Sequence, residues 1–217
     1  MHALPRRTIL LAALLSALAG YVDAIGFMNL KGYFVSFMSG NSTRLGISFG
    51  STEVNQVVQA TGLIGAFLAG VISGSLLAHR ARRHRTPIIL AYVATLLFAG
   101  GLGFLAERRY LGGICQVVAM GALNMVFARK GDVAVGLTYV TGALVKTGKH
   151  IARAFMGGPK WAFVPYLTLW AGLVGGATIG ASLSHLGAPL LLTFGGIYTL
   201  ALIPFASRNV TLRPKES

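Results

Sequence analysis

The sequence predicts an all-α membrane protein: six transmembrane helices as two inverted three-helix repeats, each with a polar re-entrant or broken segment after its first helix. Three observations predict this class. The 217 residues are 54% hydrophobic and only 11% charged, against roughly a quarter charged in a soluble domain. A 22.8 kDa globule cannot bury that much apolar surface. The 19 Lys and Arg, against 5 Asp and Glu, gather at the ends of apolar runs. Finally, the chain matches itself when shifted by 102 residues.

Apolar runs long enough to cross a bilayer fall at about 8–30, 56–78, 87–106, 110–128, 161–184 and 188–206. The first opens with RRTILLAALLSALAG, which has the basic, apolar and small-residue regions of a signal peptide. Its apolar pattern continues through YVDAIGFMNL, so the run is expected to stay as the first span. With the N-terminus inside, only Lys31, Arg44, Arg108 and Arg109 lie outside, and the other fifteen cations lie in cytoplasmic segments. That distribution follows the positive-inside rule. The net charge of +14 therefore marks membrane edges, and no nucleic-acid partner is expected.

Between the first two spans lies GYFVSFMSGNSTRLG, residues 32–46, too polar for lipid and too apolar for a plain loop. Backbone interrupted at membrane depth is tolerated where protein or a water-filled cavity surrounds it. At a shift of 102, VSFMSGNSTRLG (35–46) falls on LTYVTGALVKTG (137–148), AGVISG on AGLVGG, and PIILAY on PLLLTF. GYVDA (20–24) falls on GALNM (121–125) at a shift of 101, which pairs Asp23 with Asn124. Residues 1–106 and 107–217 then form two repeats, with polar segments at 32–54 and 131–160. Three spans per repeat is an odd number, so the second copy enters the membrane from the opposite side, as in many secondary transporters.

Asp23 is the one acidic residue in an expected span, roughly 6 Å outward of its centre at 1.5 Å per residue, and intramembrane carboxylates are costly and commonly functional. Ser16, Gly20 and Asp23 share one helical face, as do Gln116, Met120 and Asn124. The second and fifth spans carry small residues at four-residue spacing, Gly62, Ala66, Gly70 and Gly74, then Gly172, Gly176 and Gly180, a stripe that lets helix backbones approach closely. The single Cys115 excludes an intramolecular disulfide. No CxxC or HExxH spacing occurs, so neither metal nor cofactor is expected. No acid–base pair or activated nucleophile is placed at helical spacing, which argues against an enzyme with catalytic residues.

AGYVDAIGF, FVSFMSGNSTRLG and TYVTGALVKTGKH together resemble the YoaK-type family of small bacterial membrane proteins, a family of unknown function. The resemblance covers essentially the whole chain. It implies six spans in a bacterial cytoplasmic (inner) membrane, and it implies no substrate. The residues themselves favour a small secondary transporter or permease for a small polar or ionic solute, its partners being the lipid bilayer and that solute. A passive channel, dimeric if six short spans cannot wall a pore alone, and a non-transporting accessory protein are the alternatives. In the transporter reading Asp23 and Asn124 flank one central cavity. Ser39, Asn41, Ser42 and Thr43 line it from outside, Thr138 and Thr141 from inside, and Gln116 shares the Asn124 face.

Overall fold

A computed structural model of the chain describes residues 5–81, 84–129, 132–133 and 140–209. Helices dominate because a chain in hydrocarbon must satisfy every backbone N–H and C=O within itself. In order they are α1 (Arg6–Asn29), α2 (Met38–Gly50), α3 (Val54–Ala81), α4 (Arg85–Leu105), α5 (Arg109–Leu123), α6 (Val140–Phe155), α7 (Val164–Ser182) and α8 (Ala188–Asn209). A 3₁₀ turn, Asn124–Phe127, extends α5, and another, Ser184–Leu186, follows α7. Ala128–Arg129 and Asp132–Val133 pair as a minimal antiparallel ladder, the only strands among the described residues.

Six helices are long and apolar enough to span a membrane: α1, α3, α4, α5 with its 3₁₀ extension, α7 and α8. They coincide with the six expected runs to within a few residues. α7 starts at Val164 rather than 161 because the turn at Gly157-Gly158-Pro159 and a further turn at 160–163 precede it. Both polar segments contain a helix, α2 in the first and α6 in the second, so the order long, short, long, long occurs twice.

Large apolar side chains point outward as well as inward. On α3, Leu68, Ile72 and Leu76 are each more than half exposed, while Leu63 and Gly70 are buried. Such a belt would be an aggregation hazard in water and is the expected surface in lipid. The core lies among α1, α4, α5 and α8, where Leu11, Leu15, Leu18, Leu90, Leu97, Met120 and Leu192 are fully or almost fully enclosed.

The most extensive contacts join α1 to α7, α4 to α8, α4 to α5 and α3 to α5. Glycine makes two of them possible. A Cβ on Gly176 would collide with the Ala17 carbonyl, one on Gly172 would stand 2.6 Å from the Ala13 oxygen, and one on Gly180 2.7 Å from the Tyr21 oxygen. Numbers rise together on both helices, so α1 and α7 run parallel. Gly70 against Val118 and Gly74 against Ala122 set α3 parallel to α5 in the same way. Gly101 near Pro189 and Gly195 near Leu97 make α4 and α8 antiparallel. Gly62 meets only the Tyr110 hydroxyl, the movable end of a side chain, so the first stripe packs through its later members.

The two long–short–long–long sets differ in one respect. α3 packs on α4, and Tyr92 Oη donates to Ser73 Oγ at 3.1 Å across them. α7 and α8 part instead, leaving an apolar groove of about 320 Å³ walled by Ala17, Tyr21, Gly176, Ile179, Phe194 and Tyr198. Two hydroxyls tie α1 to α8 beside it: Tyr21 donates to the Leu191 carbonyl (2.9 Å) and Tyr198 to the Leu14 carbonyl (3.2 Å).

The backbone contacts give a sharp expectation. Gly70→Ala and Gly176→Ala force helices apart and should each lower unfolding stability by about 1–3 kcal/mol, the usual cost of overpacking. Gly65→Ala and Gly175→Ala, where a Cβ meets nothing within 4 Å, should be neutral or stabilising by up to about 1 kcal/mol through helix propensity. Thermal unfolding in detergent measures all four.

Candidate functional site

The chain reverses sharply at the end of α1. Lys31 and Gly32 both take positive φ, 55° and 81°. Glycine adopts that conformation freely at the second position, and lysine accepts the strain at the first. Residues 33–37 then run back along α1: a Cβ on Gly26 would strike the Val35 side chain, and Val35 and Ser36 reach Asp23. Asp23 is six residues before the end of α1 at Asn29, so the returning limb descends roughly 9 Å at 1.5 Å per residue.

Asp23 holds the bottom of this limb. Its Oδ1 accepts the Val35 N–H at 2.7 Å and the Ser36 N–H at 2.9 Å, and its Oδ2 accepts the Ser36 hydroxyl at 2.9 Å. α2 starts two residues later with no side-chain cap. A carboxylate beside a helix N-terminus is favoured by the exposed N–H groups and the macrodipole. The negative charge that this helix start favours is therefore supplied by the chain itself.

Asn41 holds the top of the limb. Fully buried, it accepts the Phe34 N–H through Oδ1 (3.0 Å) and donates from Nδ2 to the Phe34 carbonyl (2.7 Å), so both polar groups of one non-helical residue are met. Arg44 closes the turn: Nη1 donates to the Gly32 carbonyl at 2.6 Å, and the guanidinium lies 4.3 Å from the Tyr33 ring centre. Tyr33 is itself buried, and its hydroxyl donates to the Gln56 carbonyl at 3.4 Å. Ser48 Oγ donates to the Arg44 carbonyl at 2.8 Å, within the same helix.

The expected cavity lining divides accordingly. Asp23 and Asn41 are brought together around the limb. Ser39, Ser42 and Thr43 lie on the exposed face of α2, where the hydroxyls of Ser42 and Thr43 bond carbonyls of their own helix, Met38 and Ser39. These three are not gathered about Asp23. In the second polar segment Thr141 is exposed, and Thr138 lies outside the described residues. Asn124 is buried at the start of the 3₁₀ turn, its Nδ2 donating to the Met120 carbonyl at 3.0 Å. Arg85 reaches the same turn, donating to the carbonyls of Met125 (3.0 Å) and Ala128. Sequence reasoning missed Ser36, Tyr33 and Arg85 as members of these clusters. Ser36 carried a usable signal, since it aligns with Thr138 in the internal match.

Gln116 stands apart from all of these. It is fully buried on α5, and neither its Oε1 nor its Nε2 has a hydrogen-bond partner among the described residues. α5 presents Gly112 and Cys115 to α4, Gly113 to Leu30 at the end of α1, and Val118 and Gly121 to α3. By helical position Gln116 falls between the α4-facing and α1-facing sides, toward the middle of the bundle. At the shift of 101 its counterpart is Leu15, buried and apolar.

The limb contacts predict which polar residues carry stability. Hydrogen bonds to a charged group are worth about 1.5–3 kcal/mol, so Asp23→Asn, which loses the charge and an acceptor, should destabilise by about 2 kcal/mol. Asn41→Leu should cost about as much by stranding both Phe34 groups. Ser42→Ala and Thr43→Ala should stay within about 0.5 kcal/mol of the parent. Equilibrium denaturation of the purified variants measures the four.

The family described as "Protein of unknown function (DUF1275)" matches residues 11–203, from within α1 to within α8. The chain is similar to the UPF0700 transmembrane protein RA0705 of Rhizobium meliloti (strain 1021), 34% identical over 192 residues, 88% of this chain and 83% of that protein. It is also similar to the UPF0700 transmembrane protein YoaK of Bacillus subtilis (strain 168), 30% identical over 195 residues, 85% and 84% of the two chains. No solved structure matches. With six spanning helices and a match that covers nearly all of them, the chain is a multi-pass membrane protein that belongs to the DUF1275 family.

Proposed function

We propose that this protein carries a small polar solute across the membrane, and that Gln116 meets the solute in the middle of the bundle. The observation behind this is the fully buried carboxamide with no partner among the described residues. An unsatisfied buried polar group costs about 1–3 kcal/mol, and the chain has an apolar solution in Leu15 at the matching position. A carboxamide offers one acceptor and two donors, which suits an uncharged or zwitterionic solute better than a bare ion. Neither a catalytic step nor a cofactor belongs to this reading.

Transport fits an inverted pair of halves, with the pseudo-two-fold axis in the membrane plane. Three pairs of close contacts support that arrangement: Gly20 with Leu173 and Gly121 with Phe67, Gly176 with Ala17 and Gly70 with Val118, Gly180 with Tyr21 and Gly74 with Ala122. Each second member follows from the first by adding 101 on the first span and subtracting 106 on the second. The register thus slips by one helical turn from the 102 of the polar segments. Because α1 is parallel to α7 and α3 to α5, short connections send the first spans of the two halves in opposite directions. Halves with the same plan but different closure, α3 against α4 and α7 parted from α8, are what alternating access requires. The descending limb 33–37 and α2 make a re-entrant element in this scheme. The positive-inside bias favours cytoplasmic termini and a cell inner membrane.

Gln116→Leu separates this proposal from a purely structural role. The variant should be more stable by about 1–3 kcal/mol. A panel of neutral, zwitterionic and ionic solutes is screened for thermal stabilisation of wild type, since a ligand of the folded state raises its melting temperature. The solute found should fail to stabilise Gln116→Leu, and its uptake into proteoliposomes should fall at least about tenfold. Equal binding and uptake by the variant would remove Gln116 from the site. Uptake indifferent to any imposed gradient would favour the channel.

A further inference from the structure

We propose that α6 and the turn that follows it bind the headgroups of anionic phospholipids, with Phe155, Met156 and Trp161 inserted beside them. α6 turns Ala143 and Thr147 inward and docks on α7 through Tyr166, whose ring stacks on His150 at 5.2 Å and lies 5.6 Å from Lys146 Nζ. Lys149 and Arg153 are left on the exposed face, and Lys160 follows in the turn. No Asp or Glu occurs anywhere from 140 to 209, so α6, α7 and α8 offer these cations no carboxylate.

The apolar neighbours are as informative as the charges. Phe155, Met156 and Trp161 are 88%, 76% and 75% exposed. They adjoin the start of α7, a spanning helix, and so sit at a membrane boundary. Exposed aromatics beside lysines and arginines are the pattern of an interfacial lipid contact: the rings enter the acyl boundary while the cations meet phosphates. The corresponding helix of the first half lacks the pattern. α2 also exposes apolar side chains, Ile47 and Phe49, but its one cation, Arg44, is engaged with the Gly32 carbonyl, so the cationic part is missing. The feature thus belongs to α6, not to the position it occupies in the fold.

The test uses the full chain reconstituted in vesicles, with Trp170→Phe leaving Trp161 as the sole tryptophan. Brominated phosphatidylglycerol should quench Trp161 more strongly than brominated phosphatidylcholine at equal mole fraction. Each cation near an anionic surface contributes about a five-fold preference, so Lys149→Gln should reduce the discrimination by about that factor. Lys149→Gln with Arg153→Gln and Lys160→Gln should abolish it. Molar salt should abolish it in the unaltered background, which keeps the test valid if the triple variant misfolds. Equal quenching by the two lipids, or a preference that survives salt, would overturn the proposal. So would displacement by inorganic phosphate beyond that of sodium chloride at the same ionic strength, which would mark a site for free phosphate.

Discussion

Two helix pairs in this protein meet backbone to backbone, α1 with α7 and α3 with α5, and the rest of the bundle is arranged around them. In lipid there is no hydrophobic gain from bringing two apolar helices together, so association depends on close packing and on hydrogen bonds between helices. Glycine at Gly20 and Gly176, and at Gly70 and Gly121, removes the side chains that would hold the axes apart. Ser16 adds a hydrogen bond from its hydroxyl to the Leu169 carbonyl at 2.9 Å across the first pair. Each contact joins the first span of one half to the second span of the other, so neither half is a separate packing unit. The antiparallel contact of α4 with α8 completes the core between them.

A second requirement follows from the same solvent. A limb that leaves α1 and returns along it carries backbone groups with no helical partner, and burying them unpaired would cost several kcal/mol each. Asp23, Asn41 and Arg44 each address part of that limb: Val35 and Ser36, Phe34, and the turn at Gly32. The polar run in the middle of an apolar chain is accounted for in this way, with hydroxyls on the outer face of α2 left over. Gln116 is the residue this logic does not absorb, and it is therefore the one that points beyond the fold.

Much of this was legible in the sequence. Hydropathy located all six spanning helices because length and composition decide that question almost alone. The glycine stripes of α3 and α7 announced close packing, and four-residue spacing identified the face. The polar residues were harder to assign. Asp23 stood out because an isolated acid in a span is rare, whereas the limb whose N–H groups and Ser36 hydroxyl it accepts is invisible to periodicity. Ser39, Ser42 and Thr43 read as cavity lining because they cluster in sequence; at i, i+3 and i+4 they do share a face of α2, but it is the exposed one. Gln116 was found through its place on the Asn124 face. Its lack of partners depends on the packing of neighbouring helices, which no pattern in one chain expresses.

The parting of α7 from α8, against the closed pairing of α3 with α4, gives two similarly built halves different shapes. That difference matters only if the first span of each half is held by the other half. A protease site inserted in the α4–α5 connection, in a Cys115→Ser background, allows this to be measured. Cysteines replacing Ser75 and Met125, whose Oγ and Sδ are 3.0 Å apart, are bridged by a short thiol-specific crosslinker and the chain is then cut. The arrangement described here predicts one covalent species of full monomer mass on a denaturing gel. Two freely separating halves, or a crosslinked product of dimer mass, would contradict it.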